Sequence, residues 1–293
     1  MSKSKNKVLI AGPWISELGW ELMVWQAAVR WKRAQQAYSE TYVITFKGRE
    51  ALYEGCRLSC HQLELKTSSF GIGKVTPSQI KEAVDQCVQE YNITDDYDLF
   101  TPNDLLTFRS RLMRKLFRTG LIYKPLCNPK AEKIYDIGFH FRNFSKKGEV
   151  DSKNTPPEQA EEIVNWAVAQ GLKVCCLGLP GYAYNAHQAD NRLCHTLADT
   201  IETLNKCHCI VGGSSAPLHL ACLCEVPIVV WIGPPANAQR YRTFWNPFSS
   251  PVKVVSEATF TPTTIEIIHG ITQMLERISI HREGSEEEGS AGL

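Results

Sequence analysis

Val211-Gly212-Gly213-Ser214-Ser215-Ala216-Pro217-Leu218-His219-Leu220-Ala221, with Val226-Pro227-Ile228-Val229-Val230-Trp231-Ile232-Gly233 shortly after it, decides the fold. A short apolar strand ends on paired glycines. A helix with proline in its first turn follows, and then the most apolar strand of the chain, ending in another glycine. Continuous apolar strands separated by a helix are the pattern of a parallel sheet covered on both faces. Gly212 and Gly213 let backbone approach a ligand closely. Ser214 or Ser215 is placed to cap the helix, whose first turn accepts Pro217. Its N–H groups and positive dipole end suit a diphosphate. The alternative is a capped structural helix with His219 simply packed.

The same alternation extends in both directions. Upstream, strands are expected at Val8–Ala11, Tyr42–Phe46 and Tyr97–Phe100, with helices at about Leu18–Gln36, Pro77–Tyr91 and Asp104–Arg118. Lys124-Pro125 and Asn128-Pro129 then punctuate a connection. The pattern restarts with strands at Tyr135–Phe141, Lys173–Leu179, Cys209–Gly212, Pro227–Gly233 and Val252–Val255. Helices at Pro157–Gln170, Asp199–Lys206 and Pro217–Cys224 lie between them, and an amphipathic helix at Thr264–Ile278 closes the series. The predicted fold class is α/β, with two Rossmann-like lobes around a central cleft. The lobes span 8–125 and 126–262, followed by a closing helix over 263–280 and a disordered acidic tail over 281–293. Ligands of such sheets sit beyond the carboxyl ends of the strands, which directs attention to the loops after Ala11, Phe141, Gly212 and Gly233.

Residues 199–235 resemble the donor-lobe signature of the heptosyltransferase family, most clearly in His219-Leu220-Ala221 and Gly233-Pro234. Ser214 stands where that family has an acidic turn residue. The resemblance extends over 134–260 and implies a GT-B glycosyltransferase, with an N-terminal acceptor lobe and a C-terminal donor lobe. His140-Phe141-Arg142 is also similar to the His-x-Arg strand end of GDP-fucose-dependent fucosyltransferases. On this reading the donor diphosphate meets Arg142, Lys146, Gly213, Ser214, Ser215 and Gly233, and His219 helps to position it. Arg142 can fork onto phosphate oxygens and Lys146 adds a point charge. The other account of Ser145-Lys146-Lys147 is a solvated basic turn.

In the heptosyltransferases the first turn carries a carboxylate that acts as general base toward the acceptor hydroxyl. The corresponding stretch here, Gly12-Pro13-Trp14-Ile15-Ser16-Glu17-Leu18-Gly19-Trp20-Glu21, offers Glu17 and, one turn later, Glu21. Glu17 is the expected base, and the alternative is a pair of acids complementing a helix dipole. The implied activity is sugar transfer from a nucleotide sugar, inverting and metal-independent, with no cofactor beyond that co-substrate. A nucleotide-sugar epimerase on the same frame and a non-catalytic nucleotide-sugar-binding protein are the competing readings. Arg240, Tyr241, Arg242, Phe244 and Trp245 either close over a nucleotide base or pack as ordinary surface.

Composition narrows the field further. A formal net charge of +1 over 293 residues gives no overall attraction to nucleic acid or membrane. The basic stretch 109–124 is read either as a solvated helix face or as a contact for an acceptor glycan or nucleic acid. No transmembrane segment and no secretory signal are recognisable, and the eleven cysteines lack a disulfide-scaffold spacing, which together lead to a cytoplasmic expectation. Cys207-His208-Cys209 and Cys222-Leu223-Cys224 lack the usual zinc spacing. No Asp-x-Asp ends a donor-lobe strand, so no metal ligand is expected.

Overall fold

A computed structural model describes residues 7–65, 73–107, 120–146, 149–150, 153–233 and 238–290. The chain divides into two compact units, Met1–Lys124 and Pro125–Leu293.

The first unit starts with β1 (Lys7–Ala11), α1 (Leu18–Trp20), a π-helical turn (Glu21–Trp25) and α2 (Gln26–Ala34). It continues with β2 (Tyr38–Thr45), β3 (Arg57–Cys60), α3 (Pro77–Tyr91), β4 (Tyr97–Phe100) and α4 (Pro102–Thr107). Its four strands are parallel, in the order β3-β2-β1-β4. Helix α3 begins where the sequence requires it. Thr76 and Gln79 form a reciprocal capping box, Pro77 occupies the first turn, and Asn92 ends the helix at φ 50°. Its Ala83, Val84 and Cys87 pack on Val8, Ile10, Tyr42 and Ile44 of the sheet.

In the second unit, β5 (Tyr135–Arg142) is followed by a small antiparallel pair, β6 (Ser145–Lys146) and β7 (Glu149–Val150). Then come α5 (Pro157–Ala169), β8 (Val174–Gly178), β9 (Ala183–Tyr184), β10 (Asp190–Leu193) and α6 (Leu197–Asn205). The chain proceeds through β11 (Cys207–Gly213), α7 (Ala216–Leu223), β12 (Ile228–Trp231), α8 (Ala238–Arg242), β13 (Val252–Ser256) and α9 (Thr264–Ser290). The parallel sheet runs β10-β8-β5-β11-β12-β13, and β9 adds an antiparallel pairing to the end of β5. Phe139, Phe141, Val211, Val229 and Trp231 face a core shared with Ile163, Val164 and Ala167 of α5 and Ile267, Ile271 and Met274 of α9.

Several expectations change. Strands β3 and β10 are absent from the sequence reading because edge strands need no apolar run. Helix α9 belongs to the second unit's core, and it reaches Ser290, so 281–290 are helical where a disordered tail was expected. Glu-rich sequence extends a helix that is already nucleated at little cost. Of the helix expected over Asp104–Arg118, α4 supplies the start, and 108–118 lie outside the described residues. Among the described residues no helix is long and apolar enough to cross a membrane.

Candidate functional site

In the second unit the strand order reverses direction between β5 and β11, since β8 and β10 extend one way from β5 and β11 to β13 the other. A crevice beyond the carboxyl ends of these two strands is the binding position such a sheet creates. Arg142 ends β5, Gly212 and Gly213 end β11, and Ser215 begins α7. The sequence therefore placed Arg142, Gly213, Ser214, Ser215 and His219 around one feature of the topology. A Cβ on Gly212 would stand 2.5 Å from the carbonyl oxygen of His140, so the two strand ends pass in close contact. The space a Cβ on Gly213 would need is taken by the Trp231 indole, whose Nε1 would lie 2.9 Å away, and a Cβ on Gly233 would overlap the Phe260 ring. A side chain at either position would have to displace a neighbouring ring.

His219 is 5 % exposed and enclosed by aromatic rings. It stacks on Tyr241 at 4.9 Å and meets Trp245 edge-on at 4.5 Å, while the Arg240 guanidinium lies 4.7 Å above the Trp245 ring. Burial, reinforced by the nearby Arg240 charge, lowers its pKa to about 3. His219 is uncharged at neutral pH and can give a ligand a hydrogen bond but no charge. Tyr241 and Trp245 are both buried in this enclosure, so of the aromatics expected to close over a base, these two are already engaged. The Tyr241 hydroxyl lies 3.1 Å from Ser214 Oγ and 3.4 Å from His219 Nε2.

The expected serine cap is corrected. Ser215 is the N-cap of α7, but its side chain makes no capping bond, and its φ of −157° belongs to extended backbone. Ser215 Oγ, His219 Nδ1, His140 Nδ1 and Thr155 Oγ1 are buried without a hydrogen-bond partner among the described residues. Buried polar atoms left unpaired are costly, so these are atoms that a bound ligand could satisfy. His140 is also neutral at ordinary pH. Burial lowers its pKa to about 4, helped by the Arg142 charge.

The Arg142 guanidinium lies 5.4 Å over the Phe144 ring, and Phe144 stacks in turn on Tyr182. Lys146 lies in β6, a strand of two residues. A cation absent from the sequence reading, Lys153, lies 5.3 Å over the ring of Phe260, the ring that abuts Gly233. Its sequence signal is a lysine shortly before the proline-started helix α5.

In the first unit the order likewise reverses, between β1 and β4, and Gly12–Glu17 occupy that switch point. The loop is tightly held. Gly12 N–H donates to Phe100 O at 2.9 Å, Trp14 N–H to Ile44 O at 2.9 Å, and His61 Nε2 lies 2.7 Å from Trp14 O. Gly12 has φ 135° and would place a Cβ 2.5 Å from Ile44 O, so no other residue fits there. The Gly12–Pro13 peptide is cis.

The two candidate carboxylates have different surroundings. Glu17 is partly exposed at the start of α1, and its carbonyl accepts the Glu21 N–H. Glu21 opens the π-helical turn and is 0 % exposed. Its Oε1 accepts the Thr45 hydroxyl at 2.6 Å and the Tyr53 hydroxyl at 2.8 Å, while Oε2 lies 3.4 Å from Arg49 Nε. Burial raises its pKa, opposed by Arg49 and the two hydroxyls. Glu21 is an acid of the first π-helical turn whose carboxylate is enclosed within its own unit.

Of the basic stretch, 109–119 lie outside the described residues. Lys124 pairs with Glu54, and the Tyr123 hydroxyl donates to Met23 O at 2.6 Å, so this end folds back on its own unit. All eleven cysteines are free thiols, and among the described residues no three His, Cys, Asp or Glu side chains gather as a metal set.

No family model matches the sequence, and no curated protein matches it. Solved structures do resemble it. A glycosyl transferase family 9 protein from Veillonella parvula superposes with a TM-score of 0.59 at 12 % identity, covering 94 % of this chain and 99 % of that one. An E. coli ADP-heptose lipopolysaccharide heptosyltransferase II gives 0.59 at 15 % identity, with 92 % and 99 % covered. An E. coli heptosyltransferase solved with ADP gives 0.52 at 12 % identity, with 93 % and 99 % covered. The chain has the fold of these GT-B glycosyltransferases, with two Rossmann-like units in sequence.

Proposed function

We propose that the protein is a glycosyltransferase that moves a sugar from a nucleoside-diphosphate sugar to an acceptor hydroxyl, with inversion and without a metal ion. The observation that carries this reading is the β5/β11 switch point, where a strand-end arginine, a helix start and unpaired buried Ser215 and His219 atoms coincide. The likeness to glycosyltransferases over nearly the whole chain supports it.

In the proposed reaction the second unit holds the donor. Arg142 balances the diphosphate charge, and Ser215 and the start of α7 offer it hydrogen bonds, with Ser214, Gly213 and Gly233 shaping the surroundings. Lys146 adds a further positive charge. Neutral His219 hydrogen-bonds through Nδ1. The acceptor oxygen forms its bond to the anomeric carbon as the bond to the diphosphate breaks. Glu17 of the first unit takes the hydroxyl proton, and the nucleoside diphosphate leaves with the electron pair. Charge on the leaving diphosphate is met by fixed cations and N–H groups, so the chemistry does not depend on a divalent ion.

The test is a screen of nucleotide sugars by thermal shift and by nucleoside-diphosphate release, with and without EDTA. At least one donor should raise the melting temperature and be slowly hydrolysed, equally well with chelator present. If no donor binds or turns over, the reading fails. A loss with EDTA that Mg²⁺ or Mn²⁺ restores would remove metal independence alone.

A further inference from the structure

We infer that the outer face of Tyr182 is the stacking platform for the nucleobase of the donor, an inference that rests on the nucleotide-sugar reading above. Tyr182 follows the turn that ends β8, and its carbonyl accepts the Asn143 N–H at 2.9 Å. Next to it, Ala183 of β9 pairs with Arg142 of β5. Tyr182 is thereby fixed beside the carboxyl end of β5, on the side of the switch point away from β11.

The support beneath the ring is rigid. Tyr182 stacks on Phe144 with centroids 5.2 Å apart and planes within 14°. Asn154 holds both backbone polar groups of Phe144, accepting its N–H at 3.0 Å and donating to its carbonyl at 2.7 Å. The Tyr182 N–H closes its own turn onto Leu179 O at 3.0 Å. A surface ordered in this way loses little freedom when a flat ligand settles on it.

Exposure identifies the vacant face. Tyr182 remains 53 % exposed although one face is covered by Phe144, and Leu179 in the same turn is 44 % exposed. Tyr241 and Trp245, by contrast, are buried around His219. A nucleobase suits the exposed ring because it is a flat π-system, and because Arg142 in the same stack supplies the cation that its diphosphate requires. Stacking reads ring area more than hydrogen-bond pattern, so purines should gain more than pyrimidines.

Calorimetry would compare ADP, GDP, UDP and inorganic pyrophosphate on the wild type and on Tyr182→Ala, Tyr182→Phe and Phe244→Ala. Tyr182→Ala should weaken ADP and GDP about tenfold or more, and UDP less, while pyrophosphate changes by less than about twofold. Tyr182→Phe should bind like wild type, since the ring and its support are kept. The platform is ruled out if Tyr182→Ala leaves ADP and GDP unchanged, if pyrophosphate is lost in parallel, or if Phe244→Ala carries the loss instead. Each of those results leaves the nucleotide-sugar reading standing. Failure of the wild type to bind any nucleotide or pyrophosphate removes both.

Discussion

With its carboxylate closed off from solvent by Thr45, Tyr53 and Arg49, Glu21 has no route to an acceptor hydroxyl, whereas Glu17 stands partly exposed at the start of α1. Glu17→Gln should therefore keep fold and donor affinity while lowering turnover by about 10²–10⁴-fold, measured at saturating donor. Glu21→Gln should behave in the opposite way. It replaces an acceptor beside Arg49 with a donor and should cost about 1–3 kcal/mol in denaturant unfolding, with milder effects on turnover. A dead Glu21→Gln beside an active Glu17→Gln would reverse the assignment. Arg142→Ala should weaken nucleoside-diphosphate binding by about 1.5–3 kcal/mol, and unchanged affinity in calorimetry would remove it from the site. The strand-end position of Arg142 was legible because the run before it, Tyr135–Phe141, has strong β propensity. The burial of Glu21 was not, since Thr45 and Tyr53 lie 24 and 32 residues away along the chain.

Between elements, the close approach of β11 to its neighbour β5 is a backbone constraint near the site. Gly212→Ala would press a methyl group against the His140 carbonyl, a backbone atom that no rotamer change can move aside. A cost of about 1–3 kcal/mol is expected, read as a lower melting temperature, and a variant as stable as wild type would show that the strands can part. Elements with strong end signals were read closely from sequence, as at Pro77–Tyr91, where the capping box and Pro77 mark the start. The π-helical turn left no sequence signal. One added residue in a helical turn is revealed only by the packing it serves, here the inward placement of Glu21.

For the molecule as a whole, buried histidines should govern the response to acid. His61, His140 and His219 all have pKa values lowered by burial, the last two to about 4 and about 3. The unfolded chain then binds more protons than the folded one once pH drops below about 6.5. The stability these groups contribute is complete above that value and declines as pH falls toward the folded pKa values. Glu21, raised by burial, acts in the opposite direction from about 4.5 upward, as a single group against three. Denaturant unfolding should therefore show stability rising from about pH 4.5 to 6.5, and a flat or falling curve would mean that the histidines are hydrated in the folded state. The two-unit parallel architecture was legible as a whole because buried strands carry continuous apolar runs. The polar edge strands β3 and β10 carry none. One consequence of the strand order concerns how the chain is made. Strand β5 leaves the ribosome first in its unit yet ends between β8 and β11, so one of its edges waits uncovered until β11 has been synthesised. That seam, beside the proposed ligand crevice, closes only after β8 and β10 have been made. Newly made chains are open to mispairing along that edge until β11 covers it.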